Sequence, residues 1–341
     1  MQTNGSKGSL SHAAELLPIL RCPDCIAELN LENEGFFCSK CGTRYPFSNG
    51  VARFVPSEGY VSSFGFEWNK HGRTQLDDQN SHISEDTFRR KTGLTPQMIQ
   101  GKWILDVGCG MGRFAEVVSR WGGNVVGVDL SRATDKAAEN LSDRANVWIC
   151  QANVFRLPFA PQSFDYIYSI GVLHHTPNCE EAFKSLPRLL KPEGIIAIWL
   201  YSAYNKWYRM SDIYRRVTTK LPHHLLHGLC QVAGPLYYVH AGLRRIPFFG
   251  RPLSGTLGYL LPVPLHPQWD WRVLDTFDWY SPQYQSKHTY EEVFRWFEDC
   301  GLRDLRVLFE PISVQGRKPG TSLIHAGYAA DSVQEKLVES D

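Results

Sequence analysis

The amino-acid sequence predicts a doubly wound α/β fold with a small four-cysteine module ahead of it and a helical insert within it. Three observations carry this reading. A glycine-rich loop, Gly108-Cys-Gly-Met-Gly112, follows a short apolar run and precedes a helical stretch, and apolar runs and helical stretches then alternate to residue 200. Such alternation is the pattern of a parallel sheet covered by helices. Two Cys-x-x-Cys pairs stand near the start, and from residue 201 the alternation gives way to aromatic and basic segments.

At 341 residues the chain exceeds one average domain, so a main domain with a smaller module is expected. The expected divisions are a metal ribbon at 1–57, a cap at 58–100, a core at 101–200 and 286–330, and the insert at 201–285. With 43% apolar and 21% charged residues the chain can bury a sizeable core. Thirty-six Lys and Arg nearly cancel 35 Asp and Glu. That balance excludes a whole-surface field for nucleic acid or membrane and leaves only local patches. The first twenty residues hold no continuous apolar stretch of the kind a secretory signal needs, so a reducing, cytoplasmic compartment is expected. There, paired cysteines suggest metal before disulfide. Leu225 to Leu243 lacks charged residues but includes His227, Gln231, Pro235 and His240, so no membrane-spanning helix is expected.

Cys22-Pro-Asp-Cys25 and Cys38-Ser-Lys-Cys41 are separated by twelve residues, with a hairpin expected between them that turns near Asn33–Gly35. Four thiolates complete the closed tetrahedron of a structural zinc and leave no open coordination position. The segment CPDC…FFCSKCGTRYPFSNGVARFVP resembles the small zinc-ribbon protein that activates tRNA and release-factor methyltransferases. Residues 58–100 have weak periodicity but carry Tyr60, Phe64, Phe66 and Trp68. A lid over the following loop is the preferred role, with core packing the alternative.

Trp103 to Val107 reads as a buried parallel strand, Arg113 to Trp121 as a helix closed by two glycines, and Val125 to Val128 as a second strand with Asp129 at its carboxyl end. Glycines at 108, 110 and 112 permit sharp turning and close approach of a ligand. Ligands of open α/β sheets bind beyond the carboxyl ends of the strands, where Asp129 can accept the hydroxyl hydrogens of a ribose. Asp106, two residues before the first glycine, makes the loop D-x-G-x-G-x-G. It resembles motif I of the class I S-adenosylmethionine-dependent methyltransferases, and the chain is similar to their type 11-like group. The resemblance implies a seven-stranded Rossmann-like sheet. It further implies that Asp106 and the glycines serve the methionine end of S-adenosylmethionine, and Asp129 with Leu130 the ribose. Asn153, beside Val154, stands where the family has an acid on the adenine amino group.

Asn146 to Gln151, Phe164 to Ser169 and Ile195 to Leu200 continue the strands, with a helix expected over Glu180–Leu190. Ser169, His174 and His175 resemble the family's motif IV region. Either histidine suits a general base for the methyl acceptor, or merely orients the loop. Thr289-x-x-Glu292 is a capping box opening a helix, with Leu305–Phe309 and Ser322–Tyr328 expected as the closing antiparallel pair. Tyr284 and His288, just before that cap, are expected on the substrate side or as packed connectors.

The insert places Trp207, Met210, Tyr214, Val217 and Leu221 at helical spacing. Between Lys206 and Arg251 it holds eight Lys or Arg against one acid, Asp212. This segregation suits either a solvated face or an anionic partner, which would be a lipid surface with the protein peripheral to it, a glycan phosphate, or RNA. The expected activity is methylation of a lipid-linked, glycan or small-molecule acceptor, with RNA or protein as the alternative acceptor. A nucleotide-dependent oxidoreductase and a non-catalytic zinc-ribbon adaptor are the competing classes.

Overall fold

A computed structural model describes residues 10–56, 59–70, 75–77, 82–205 and 208–320. Lys206, Trp207 and the expected strand Ser322–Tyr328 lie outside the described residues.

Four short strands, β1 (Asn30–Glu32), β2 (Gly35–Phe37), β3 (Arg44–Ser48) and β4 (Val51–Arg53), form the amino-terminal module. Its hairpin turns at Asn33–Glu34, since Glu32 pairs with Gly35. The main sheet follows with β5 (Trp103–Val107), β6 (Asn124–Asp129), β7 (Val147–Gln151), β8 (Phe164–Ile170), β9 (Leu190–Trp199), β10 (Arg303–Val307) and β11 (Ser313–Arg317). The strand order is β1-β2-β3-β4-β7-β6-β5-β8-β9-β11-β10, one sheet of eleven strands. The expected count of seven is therefore corrected. The seven strands β5–β11 are present, and the module adds four more through β4, which pairs in parallel with β7 (Val51 opposite Ile149). One apolar core runs across the junction, from Leu20, Phe36 and Phe54 to Trp148, Cys150 and Phe159. Arg53 locks the seam by ion-pairing with Asp135 and donating to Gln151 Oε1 at 2.9 Å.

The closing pair needs a second correction. β11 is Ser313–Arg317, reached from β10 by a tight turn in which Ser313 N–H donates to Glu310 O at 3.0 Å. No apolar run marks this strand, because SVQGR is polar in composition. Ser313 and Gln315 are nonetheless buried, and Gln315 Nε2 donates to Thr92 O at 2.9 Å. The helix after β8 is also shorter than expected, Cys179–Lys184, with Pro187 opening a separate 3₁₀ turn. The capping box at Thr289 and Glu292 is formed and opens the helix Tyr290–Asp299.

The insert is a set of helices over Tyr208–Thr218, His223–Cys230, Ala233–Leu243, Gly250–Leu260 and Trp269–Tyr280. None is long and apolar enough to cross a membrane. The inward stripe of the first differs from the expected one. Val217 is 63% exposed, whereas Arg215 is buried and donates to the carbonyls of Trp279 at 3.0 Å and Pro282 at 2.5 Å. These carbonyls stand at the end of the last insert helix, where intrahelical partners run out, and a guanidinium satisfies them better than a valine can. Arg215 is therefore structural, not part of a basic surface.

Candidate active site

The carboxyl ends of five parallel strands meet at one cavity of about 500 Å³: Val107, Asp129, Ala152, Ile170 and Trp199 all line it. This is where a doubly wound sheet leaves room for a ligand, because the strands stop and the loops diverge to opposite faces.

On one side the glycine loop closes the wall. Gly108 sits at φ +82°, and a Cβ there would lie 2.3 Å from the Val172 side chain, so only glycine lets the loop pass. Gly110, Leu130 and Val154 line the same side. The Asp129 carboxylate is tied to its own loops. Oδ1 accepts from Ser131 N at 2.8 Å and Ser131 Oγ at 2.7 Å, and Oδ2 accepts from Gly110 N at 2.9 Å. A carboxylate oxygen takes about two such bonds, so Oδ2 is the one with room for a ligand hydroxyl.

Four expected cofactor residues stand behind the wall. Asp106 is 2% exposed and its Oδ2 has no hydrogen-bond partner; burial pushes its carboxyl up to about 8. Gly112 starts the helix Arg113–Arg120 and packs under Leu141. Asn153 spends its Oδ1 on Phe155 N–H at 3.0 Å, capping a 3₁₀ turn. Ser169 donates to Val107 O at 2.9 Å and so joins β8 to the end of β5.

The two histidines separate. His175 lines the cavity, and its Nδ1 lies 2.9 Å from Tyr284 O. A carbonyl only accepts, so Nδ1 carries the hydrogen and Nε2 keeps its lone pair, with no protein partner. Burial holds the imidazole below the usual histidine range, hence neutral near pH 7. His174 is fully buried, stacks on Tyr201 with centroids 4.0 Å apart, and does not line the cavity. The structure thus sets His174, expected at the catalytic site, against Tyr201 and off the cavity wall. Tyr284 reaches the site through its carbonyl and through an edge contact with Tyr60, which lines the cavity. His288 bonds Ser286 Oγ at 2.7 Å and lies outside the cavity lining.

The rest of the lining includes a cluster of charged and aromatic residues that no motif in the sequence marks. Glu67, Asp275 and Asp278 belong to it together with Lys91, Tyr201, Trp199 and Trp271. Glu67 is 1% exposed and neither carboxyl oxygen has a partner; burial, then Asp278 and Asp275, raise it well above the carboxylate range. Burial likewise pushes Asp275 up to about 7 and Lys91 down to about 7, the latter with Nζ 3.2 Å from the Trp199 ring centroid. Asp278 accepts from Tyr201 Oη at 3.1 Å. A signal was available: Trp271, Leu274, Asp275 and Asp278 follow i, i+3, i+4, i+7, which sets two acids on an apolar stripe. Within residues 59–70, Trp68 lies over Gly110 and Phe64 against His175, contacts that suit a lid and core packing alike.

At the far edge of the sheet the Sγ atoms of Cys22, Cys25, Cys38 and Cys41 all lie within 4.8 Å of one another, the closest pairs at 3.4 and 3.6 Å. A disulfide needs about 2.05 Å, whereas a zinc tetrathiolate with Zn–S of about 2.3 Å sets its sulfurs about 3.8 Å apart. The donor set and spacing fit zinc.

Residues 105–198 match the family described as Methyltransferase domain. The matched segment runs from within β5 to within β9 and takes in Val107, Asp129, Ala152 and Ile170 of the cavity lining. Sterol 24-C-methyltransferase erg6 of Schizosaccharomyces pombe is 28% identical over 146 residues, 41% of this chain and 37% of that protein. Methyltransferase GfsG of Streptomyces halstedii is 36% identical over 169 residues, 48% of this chain and 58% of that protein. The chain spans about a third of the length of the sterol methyltransferases it matches. Among solved structures, phosphoethanolamine N-methyltransferase 2 of Haemonchus contortus aligns with a TM-score of 0.41 at 19% identity, over 73% of this chain and 43% of that one.

Proposed function

We propose that this protein transfers a methyl group from S-adenosylmethionine to a small acceptor held between His175 and the acidic, aromatic wall of the insert. The observation that carries the reading is the single cavity. Five strand ends, Asp129 among them, line it together with the glycine loop and a neutral histidine whose Nε2 has no protein partner. The methyltransferase-domain match and the methyltransferase relatives support it.

Gly108 and Gly110 border the cofactor's path, Asp129 Oδ2 takes a ribose hydroxyl, and Leu130, Ala152 and Val154 offer an apolar slot for adenine. Asp106 lies beneath as a buried acid that a cationic ligand would favour in its ionised form. Bound S-adenosylmethionine supplies an electrophilic methyl carbon. His175 Nε2 takes the proton from an acceptor O–H or N–H, while Tyr284 O fixes the tautomer that makes this possible. Glu67, Asp275 and Asp278 hold the acceptor's polar end, and Trp199, Tyr201 and Trp271 hold its body. A cavity of this size supports a small or lipid-linked acceptor over folded RNA or protein.

The cysteine cluster we read as one structural zinc, which fixes the ribbon whose β4 extends the sheet. The exposed arginines of the insert support an anionic partner there.

The test is transfer of a labelled methyl group from S-adenosylmethionine to pooled amines, phenols, lipid extracts, RNA and protein. Label in a small-molecule or lipid pool, lost in His175→Ala, is the expected result. Label confined to RNA or protein would overturn the acceptor assignment.

A further inference from the structure

The insert has a surface that the catalytic reading does not use. No Asp or Glu occurs between Asp212 and Asp270, a span of 57 residues. Among the described residues that span holds fourteen of the twenty large apolar side chains that are exposed. It also exposes Arg216, Lys220, Arg244, Arg245 and Arg251. Exposed apolar residues scattered singly need no explanation, but a concentration of them among cations and without acids does.

The sharpest part is a helical hairpin. Ala233–Leu243 and Gly250–Leu260 are joined by a short turn and pinned by His240 Nδ1 to Ser254 Oγ at 2.9 Å. The turn is tight: a Cβ at Gly250 would lie 1.9 Å from Leu243 O, so glycine is required there. At this tip Phe248 is 95% exposed and Phe249 78%, with Arg244, Arg245 and Arg251 beside them in the chain. Two phenylalanines held out in water at the end of a braced hairpin, flanked in the chain by exposed arginines, match what an anionic bilayer surface takes. The rings enter the acyl boundary and the guanidinium groups stay with the phosphates. RNA would use the arginines but would leave the apolar rows of Leu225, Leu229 and Val232 unaccounted for.

We infer that the tip of this hairpin docks the protein onto membranes containing anionic lipid. The membrane contact is independent of the methyl-transfer reading and stands or falls by itself.

The experiment is co-sedimentation of the full chain with phosphatidylcholine vesicles, with and without phosphatidylglycerol, at low and high salt. Binding to the anionic vesicles that weakens with salt is expected. Phe248→Ser/Phe249→Ser should weaken it by roughly ten-fold or more, from lost ring burial. Arg244→Glu/Arg245→Glu/Arg251→Glu should weaken it at least as much, and more at low salt. Phe248→Ser alone removes almost no packing, so its loss of binding cannot be laid to unfolding. S-adenosylhomocysteine binding in the same preparations reports separately on the cofactor site. Three outcomes would overturn the inference: no vesicle binding by the wild type, unchanged vesicle binding by the phenylalanine variants, or binding to RNA without binding to vesicles. A dimer sealed by Phe248 and Phe249, with no vesicle binding, would do so as well.

Discussion

His175 Nδ1 lies 2.9 Å from the carbonyl oxygen of Tyr284, 109 residues away in the chain. The contact joins the turn after β8 to the last residues of the insert, and it decides which nitrogen of the imidazole is free. Removing the base should cost turnover without loss of cofactor binding. His175→Ala should lower kcat by roughly a hundred-fold or more, while S-adenosylhomocysteine affinity stays within a few-fold. Burial favours the neutral imidazole, so the acid limb of kcat/KM against pH should fall below the usual histidine value. An acid limb at or above that value, or an unchanged His175→Ala rate, would remove the base role.

Asp106 predicts a pH-dependent stability. Its carboxyl is raised by burial to about 8 in the folded chain, against the ordinary aspartate range of about 4 when unfolded. An acid with a raised folded pKa binds its proton more tightly folded than unfolded. Its contribution to stability is therefore fully present below the unfolded pKa and is lost as pH rises from about 4 to about 8. Asp106→Asn should accordingly gain thermal stability relative to wild type at pH 8 and gain little at pH 4. Equal melting differences at both pH values would contradict the buried, neutral carboxyl.

Chelation tests the ribbon. Because β4 pairs with β7 and the core is shared, loss of zinc should reach the main sheet and not stop at the module. Cys38→Ser, or wild type stripped of metal, should melt lower by roughly 5 °C or more in a single transition. Elemental analysis should give one zinc per chain. A separate early transition, with the main one unmoved, would show the ribbon to be an independent appendage.

The parallel strands were legible in the sequence because each is a buried apolar run flanked by glycine or a helix, and the loop glycines are dictated by local backbone geometry. Five features were not. The ribbon's merger with the sheet depends on an edge pairing between residues 51 and 149, which no local pattern encodes. β11 is polar in composition and is held by its neighbours. Arg215 reads as a surface charge until the carbonyls of Trp279 and Pro282 are seen beside it. The acids at 67, 275 and 278 converge from segments two hundred residues apart. His174 and His175 are adjacent in sequence and equivalent by type, and only the packing of Tyr201 and Tyr284 distinguishes them.

Cofactor identity is the central claim, and calorimetric titration of the purified protein tests it most directly. S-adenosylhomocysteine should bind at one site per chain, and NAD should not compete. Asp129→Ala should weaken that binding by roughly ten-fold or more, since it removes the Oδ2 ribose contact and frees the Gly110 loop. Binding of NAD in preference to S-adenosylhomocysteine would contradict the account.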